Sequence, residues 1–195
     1  MNMEGGGSSR RDFIAAAAAL VGAELMGSSI NTAEAAGLLK DETALKHKAD
    51  LDAAATVREL LSVRRNIDFR SMPNSKIPGA EISELKRQVY EKVFAIHQKE
   101  IKDATSAKQL ASLKGEVRVH SFHEKILTSA LHDTLIERMQ ERAEDLLEEE
   151  IANTSGKVEL GYLRDDINRS YYQAGLLTSR QCAHLVSLIA EKLKM

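Results

Sequence analysis

Beyond position 40, apolar residues recur every three or four positions along most of the chain, the spacing of one face of an α-helix. Leu45, Ala49, Ala53, Val57 and Leu60/Leu61 predict a first helix over 41–66. Pro73-Asn74 and Pro78-Gly79 then break the pattern, and Ile82, Leu85, Val89, Val93 and Ile96 predict a second helix over 80–102. A short turn or helix carries Leu110 and Leu113 and ends near Gly115. A third long helix is expected over 120–152, where Leu127, Leu131, Leu135, Met139, Ala143, Leu147 and Ile151 are spaced by four. Each step of four turns the face by about 40°, so this row winds around the helix, whereas a coiled-coil seam keeps a 3.5-residue period. The segment should therefore bend, break, or present different sides to different neighbours.

Leu160, Leu163, Ile167 and Tyr171 form the next stripe, with Gly175 placed as its left-handed stop. Thr178-Ser179-Arg180-Gln181 has the pattern of a capping box, with Leu177 and Cys182 as its hydrophobic staple. Cys182, Leu185, Val186, Ile189 and Leu193 then complete a C-terminal helical hairpin. The stripes suggest no internal repeat of fixed period. The expected fold is all-α, a single bundle of about four to five helices. Composition agrees: aromatics are 4% of the 195 residues, tryptophan is absent and there are two prolines, which suits a Leu/Ile/Val/Ala core and not a sandwich or barrel.

The N-terminus reads differently. Ser9-Arg10-Arg11-Asp12-Phe13-Ile14 precedes an alanine-rich apolar stretch over 14–23, and Ala33 and Ala35 supply the small residues of a cleavage site before Ala36. That stretch is too short and too weakly apolar to span a bilayer, which takes about 20 residues. The run resembles the twin-arginine signal peptides, whose pattern is Ser/Thr-Arg-Arg-x-Phe-Leu/Ile-Lys. Arg10, Arg11 and Phe13 fall on the characteristic positions, and Ala15 departs from the common lysine. The resemblance implies export in a folded state by the twin-arginine translocase. It also implies a cleaved signal over 1–35, a mature domain over 36–195, and a periplasmic or extracellular destination.

The whole chain has 27 Lys plus Arg and 29 Asp plus Glu. Removing the two basic and four acidic residues of the first 35 leaves 25 of each, a neutral balance. A neutral surface argues against a nucleic-acid partner, which needs basic side chains to displace counterions. The single cysteine, Cys182, excludes an internal disulfide and suits a small core residue.

Two groups of side chains are candidates for chemistry. His120 and His123, three apart on a helix, satisfy the spacing of two metal ligands, while His132 lies about 120° further round. The plainer reading places these histidines at the edge of the core. Glu144, Asp145, Glu148, Glu149 and Glu150 crowd the end of the third helix, against its dipole. They read either as a solvated face paired with Arg138 and Arg142 or as an acidic docking surface. The basic stretch Arg58, Arg64, Arg65, Arg70 and Lys76 is a candidate for compensating their charge.

No nucleophile motif, phosphate loop, haem attachment site or paired-cysteine metal motif occurs, and no cofactor is expected. Tyr162-Leu163-Arg164-Asp165-Asp166-Ile167-Asn168 resembles the Tyr-Leu-Arg-x-Asp-Leu-Asn stretch of PsbQ-like extrinsic photosystem II subunits. Those are four-helix proteins of the thylakoid lumen that use the same export route. That resemblance implies a lumenal subunit of a photosynthetic membrane complex. The leading expectation is an exported, non-enzymatic helical protein serving an envelope complex as an accessory or interaction subunit, with a protein partner and no transmembrane segment. A metal- or cofactor-binding helical protein is the other alternative.

Overall fold

Short polar caps, more than the apolar stripes, decide where the helices begin and end. In the computed structural model, which describes residues 42–70 and 77–194, the expected first helix is two helices, α1 (Glu42–Ala53) and α2 (Val57–Arg70). Three alanines in a row favour continuation on propensity alone. The break comes because Thr56 and Glu59 form a capping box: Glu59 N donates to Thr56 Oγ1, and Thr56 N and Ala55 N donate to Glu59 Oε2. α3 (Gly79–Asp103) matches the second expected helix and is followed by α4 (Ala107–Phe122), begun by Ser106 and Gln109 in the same manner. The segment expected as one helix over 120–152 breaks at 123–128. Its first residues belong to α4, and α5 (Ser129–Asn153) starts under the Thr128 hydroxyl. α6 (Lys157–Asp166) runs into a π-helical turn, Ile167–Tyr171, and α7 (Ser179–Lys194) closes the described chain. Among the described residues there are thus seven α-helices, more than the four to five expected, and no strand. The class is all-α.

The helices repeat. α3 begins at 79, α5 at 129 and α7 at 179; α2 begins at 57, α4 at 107 and α6 at 157. The period is fifty residues, which corrects the expectation of no fixed repeat. Buried positions follow it: Leu60, Leu110 and Leu160; Leu85, Leu135 and Leu185; Leu51, Ile101 and Ile151; Ile67, Val117 and Ile167. A cationic clamp follows it as well. Lys92 donates to the carbonyls of Leu51 and Asp52, Arg142 to that of Ala104, and Lys192 to those of Ile151 and Ala152. Each thereby places a cation on carbonyls at the C-terminal end of α1, α3 or α5 and complements that helix's dipole.

α1, α3, α5 and α7 form one layer in which each helix touches the next. α2, α4 and α6 form the second layer, each packed on the first-layer helix that follows it. α1 corresponds in register to the C-terminal half of α3 and α5. The core is the sheet of aliphatic side chains between the layers, and neighbouring units complete each other's share of it, as in solenoid proteins. The winding row on α5 is explained by this arrangement. Leu135, Met139, Ala143, Leu147 and Ile151 are all buried, and α5 meets α3, α4 and α7 on different sides.

The return from second to first layer uses a left-handed residue, Lys125 at φ 52° and Gly175 at φ 68°, again one period apart. The C-terminal hairpin forms as expected. Thr178 N donates to Gln181 Oε1 at 2.9 Å, Gln181 N donates to Thr178 Oγ1 at 3.3 Å, and Leu177 and Cys182 are both buried. The twin-arginine residues Arg10, Arg11 and Phe13 and the cleavage residues Ala33 and Ala35 lie outside the described residues. Within the described residues no helix is long and apolar enough to cross a membrane.

Candidate functional site

The repeat divides every second-layer helix into a buried stripe and an outward one. The outward positions are 58, 62 and 69 on α2, 108, 112, 119 and 122 on α4, and 158, 162, 169 and 172 on α6 and the turn that continues it. On α4, at 100° per residue, these positions fall within a sector of about 80°. Of the apolar residues there, Phe122 meets the His132 ring edge-on and Tyr172 shares a hydrogen bond with Ser179. Phe69 is 71% exposed and Tyr162 70% exposed, and Val119, Phe122, Val158 and Tyr172 share this face. Of the seven large hydrophobic residues that stand exposed among the described residues, only Leu45, on α1, lies elsewhere. Single exposed hydrophobics are ordinary; six of them gathered on one face of the second layer are less so. Sequence reasoning missed this face because it lacked the fifty-residue register, which alone brings residues so far apart into one row.

The histidines come together in an unexpected pair. His120 on α4 does not meet His123, which caps that helix and is exposed. Instead His120 Nδ1 lies 3.0 Å from His97 Nε2, with the rings stacked 5.1 Å between centroids. His97, 1% exposed, completes the chain through Nδ1 to Glu100 Oε2 at 2.7 Å. Burial holds the His120 pKa below its usual range, and the neighbouring His97 adds to this; Glu124 and Glu100 oppose it. His97 occupies the repeat position of His47 and Leu147, all buried, so it is one of the core positions of the array. His132 stays apart, with Nδ1 2.9 Å from its neighbour Asp133 and its ring edge-on to Phe122.

The acidic group is split by the helix geometry. Glu144 and Glu148 face α7, where Glu144 Oε2 accepts from Gln181 Nε2 at 2.9 Å and Glu148 Oε1 lies 2.9 Å from His184 Nε2. Asp145, Glu149 and Glu150 are exposed, and Glu150 helps to raise the Tyr171 pKa, which burial raises most. The expected intrahelical partners turn elsewhere: Arg142 reaches the Ala104 carbonyl and the Arg138 guanidinium lies 5.8 Å from the centre of the Phe94 ring. Compensation at the end of α5 comes from Lys192 in α7, which donates to Ile151 and Ala152 carbonyls. Arg64 serves α2 and α3, where it donates to Tyr90 and pairs with Asp68, and does not approach the α5 end.

Cys182 is buried, its thiol donates to Asn168 Oδ1 at 3.4 Å, and burial pushes its pKa up. A thiol so placed is a poor nucleophile. An open groove of about 610 Å³ lies at the ends of α3 and α4, lined in part by Ile96, Lys99, Asp103, Gln109, Leu113 and Glu116. These groups mix charge without converging a nucleophile, a base and an orienting partner on one point. The Tyr162–Asn168 stretch spans α6 and the π turn, where Leu163 and Ile167 fill repeat positions shared with Leu113 and Val117, while Tyr162 joins the outward row. No known protein family, curated protein or solved structure matches this chain.

Proposed function

We propose that this chain is exported by the twin-arginine route and serves as a non-enzymatic accessory or interaction subunit of an envelope complex, docking its partner on the outward face of α2, α4 and α6. The observation that carries the reading is the row of exposed apolar side chains, Phe69, Val119, Phe122, Val158, Tyr162 and Tyr172, gathered on one face of the second layer. Stacked helical units present such continuous surfaces to extended ligands, and aromatic residues supply much of the energy at protein interfaces. The occupant that suits this face is an apolar segment of a partner protein. The export part of the reading rests on Arg10, Arg11 and Phe13 in their signal-like context.

Two experiments test it. The triple variant Phe69→Ser, Val158→Ser, Tyr162→Ser alters exposed side chains only and should keep the wild-type helical circular dichroism and melting temperature. Cross-linking in the native envelope should then lose the partner that wild type captures; a variant that retains it refutes the docking face. Separately, replacing Arg10 and Arg11 with lysine should leave the chain in the cytoplasmic fraction with its signal uncleaved. Export of that variant would remove the twin-arginine assignment while leaving the docking face untouched.

A further inference from the structure

The third unit departs from the other two at the place where α5 meets α7. Glu144 and Glu148, one helical turn apart on α5, and His184 on α7 each offer one donor atom, and the three atoms lie within 4.8 Å of one another. At the same repeat positions the preceding unit has Phe94, Gln98 and Thr134, and the first has Ala44, Lys48 and Glu84. Phe94 and Ala44 are buried apolar residues, so packing alone does not call for a carboxylate at 144. Nor does the repeat call for an imidazole opposite position 148.

The carboxylate of Glu144 is held in place. Gln181 Oε1 accepts from Thr178 N at 2.9 Å, and because a backbone N–H can only donate, this fixes which way the Gln181 amide faces. Its Nε2 is thereby directed at Glu144 Oε2, at 2.9 Å, and at the Gln140 carbonyl, at 3.1 Å. The cap that starts α7 thus also orients a carboxylate on α5, the kind of outer contact that steadies metal ligands. His184 Nε2 already shares a hydrogen bond with Glu148 Oε1.

We infer that Glu144, Glu148 and His184 form a binding site for a zinc-type divalent cation that ties α7 to α5. One imidazole nitrogen and two carboxylate oxygens suit zinc, whereas calcium and magnesium take oxygen ligands alone in most sites. Tetrahedral zinc ligands at about 2.0–2.2 Å from the ion stand roughly 3.4 Å from one another. His184 Nε2 and Glu148 Oε1, now 2.9 Å apart, therefore open slightly while the Glu144 carboxylate turns to the same point. Small rotations of three side chains suffice. The metal takes the place of the proton between His184 Nε2 and Glu148 Oε1, and water completes the coordination on the solvent side. This site is separate from the outward apolar face and from the His97–His120 pair.

Titration of the untagged full chain with zinc chloride, read by calorimetry against a competing chelator, tests the inference. One equivalent should bind. His184→Ala and Glu148→Gln should each weaken it at least tenfold, and so should Glu144→Gln, which keeps an acceptor for Gln181 while losing the charge. The double variant His120→Ala, His123→Ala should bind as wild type does, and calcium should not compete. Circular dichroism of each variant confirms that the helices persist, since His184 and Glu148 are exposed. Zinc binding that survives His184→Ala, or that is lost only with His120, overturns the site, as does the absence of stoichiometric binding to wild type.

Discussion

Leu135 and Leu185 occupy the same position in successive units, and both are fully buried. Truncating either to alanine removes three carbons, about 2.4 kcal/mol at roughly 0.8 per methylene. The residual cavity brings the cost to about 3–4 kcal/mol. In an array stabilised by neighbour contacts the two changes should nevertheless spread differently. α5 meets α3, α4 and α7, while α7 meets α5, α6 and the π turn. Leu185→Ala should therefore weaken one end, and Leu135→Ala the middle. Amide hydrogen exchange resolves this, because opening of part of the structure is read residue by residue. At about 1.4 kcal/mol per tenfold, a 3 kcal/mol loss raises exchange about a hundredfold. For Leu185→Ala the rise should appear in α6 and α7 and leave α1 to α4 unchanged. For Leu135→Ala it should extend from α3 to α7. A uniform rise in every helix of the Leu185 variant would show a single cooperative core and defeat the view of the fold as a chain of semi-independent units.

Other consequences follow from the same geometry. Lys125 holds a left-handed conformation where the next unit has Gly175, and a non-glycine residue there costs about 1–2 kcal/mol. Lys125→Gly should raise the unfolding free energy by about 1 kcal/mol in urea titration, and an unchanged midpoint would show that no strain is stored. Thr178→Ala removes the hydroxyl that accepts from Gln181 N and should cost about 1 kcal/mol, measured the same way. His120 has its folded pKa lowered, first by burial and then by His97, so its neutral form favours the folded state. That stability is present above the unfolded value of about 6.5 and is lost as pH falls through the lower folded value. Melting temperature should hold steady from pH 8 to 7 and decline below about 6.5, and His120→Asn should flatten that decline. A slope that persists in the variant would assign it to other groups.

The all-α class, the α3 helix and the C-terminal capping box are legible in the sequence because each depends on local spacing alone. The breaks at 54–56 and 123–128 were not. Apolar spacing runs through both, and the decision rests on hydroxyl caps at Thr56 and Thr128, whose advantage over one more helical turn is about a kilocalorie. The fifty-residue period escaped for a different reason. Between 79–128 and 129–178 only nine of fifty paired positions are identical. The core tolerates exchange among Leu, Ile, Val and Met, so the repeat survives as burial while its letters drift. The histidine pair was invisible because its members are twenty-three residues apart on two helices, and only the α3–α4 turn brings them together.

The division between constant and variable positions bears on the proposed docking. What the array needs for its own stability recurs strictly: the leucines at 60, 110 and 160, and the cations at 92, 142 and 192. The outward face does not recur in its residues, and Arg58, Ser62, Lys108, Ser112 and Arg169 stand among its apolar members. It carries Phe69 in the first unit, Val119 and Phe122 in the second, and Val158, Tyr162 and Tyr172 in the third. A surface serving only solubility would be polar there, and a surface serving stability would repeat as the core does. A partly apolar row that changes side chain from unit to unit suits a ligand whose own side chains change along its length, such as one segment of one partner. On that reading the framework sets the spacing of the contacts, and the divergence between units sets which partner they accept.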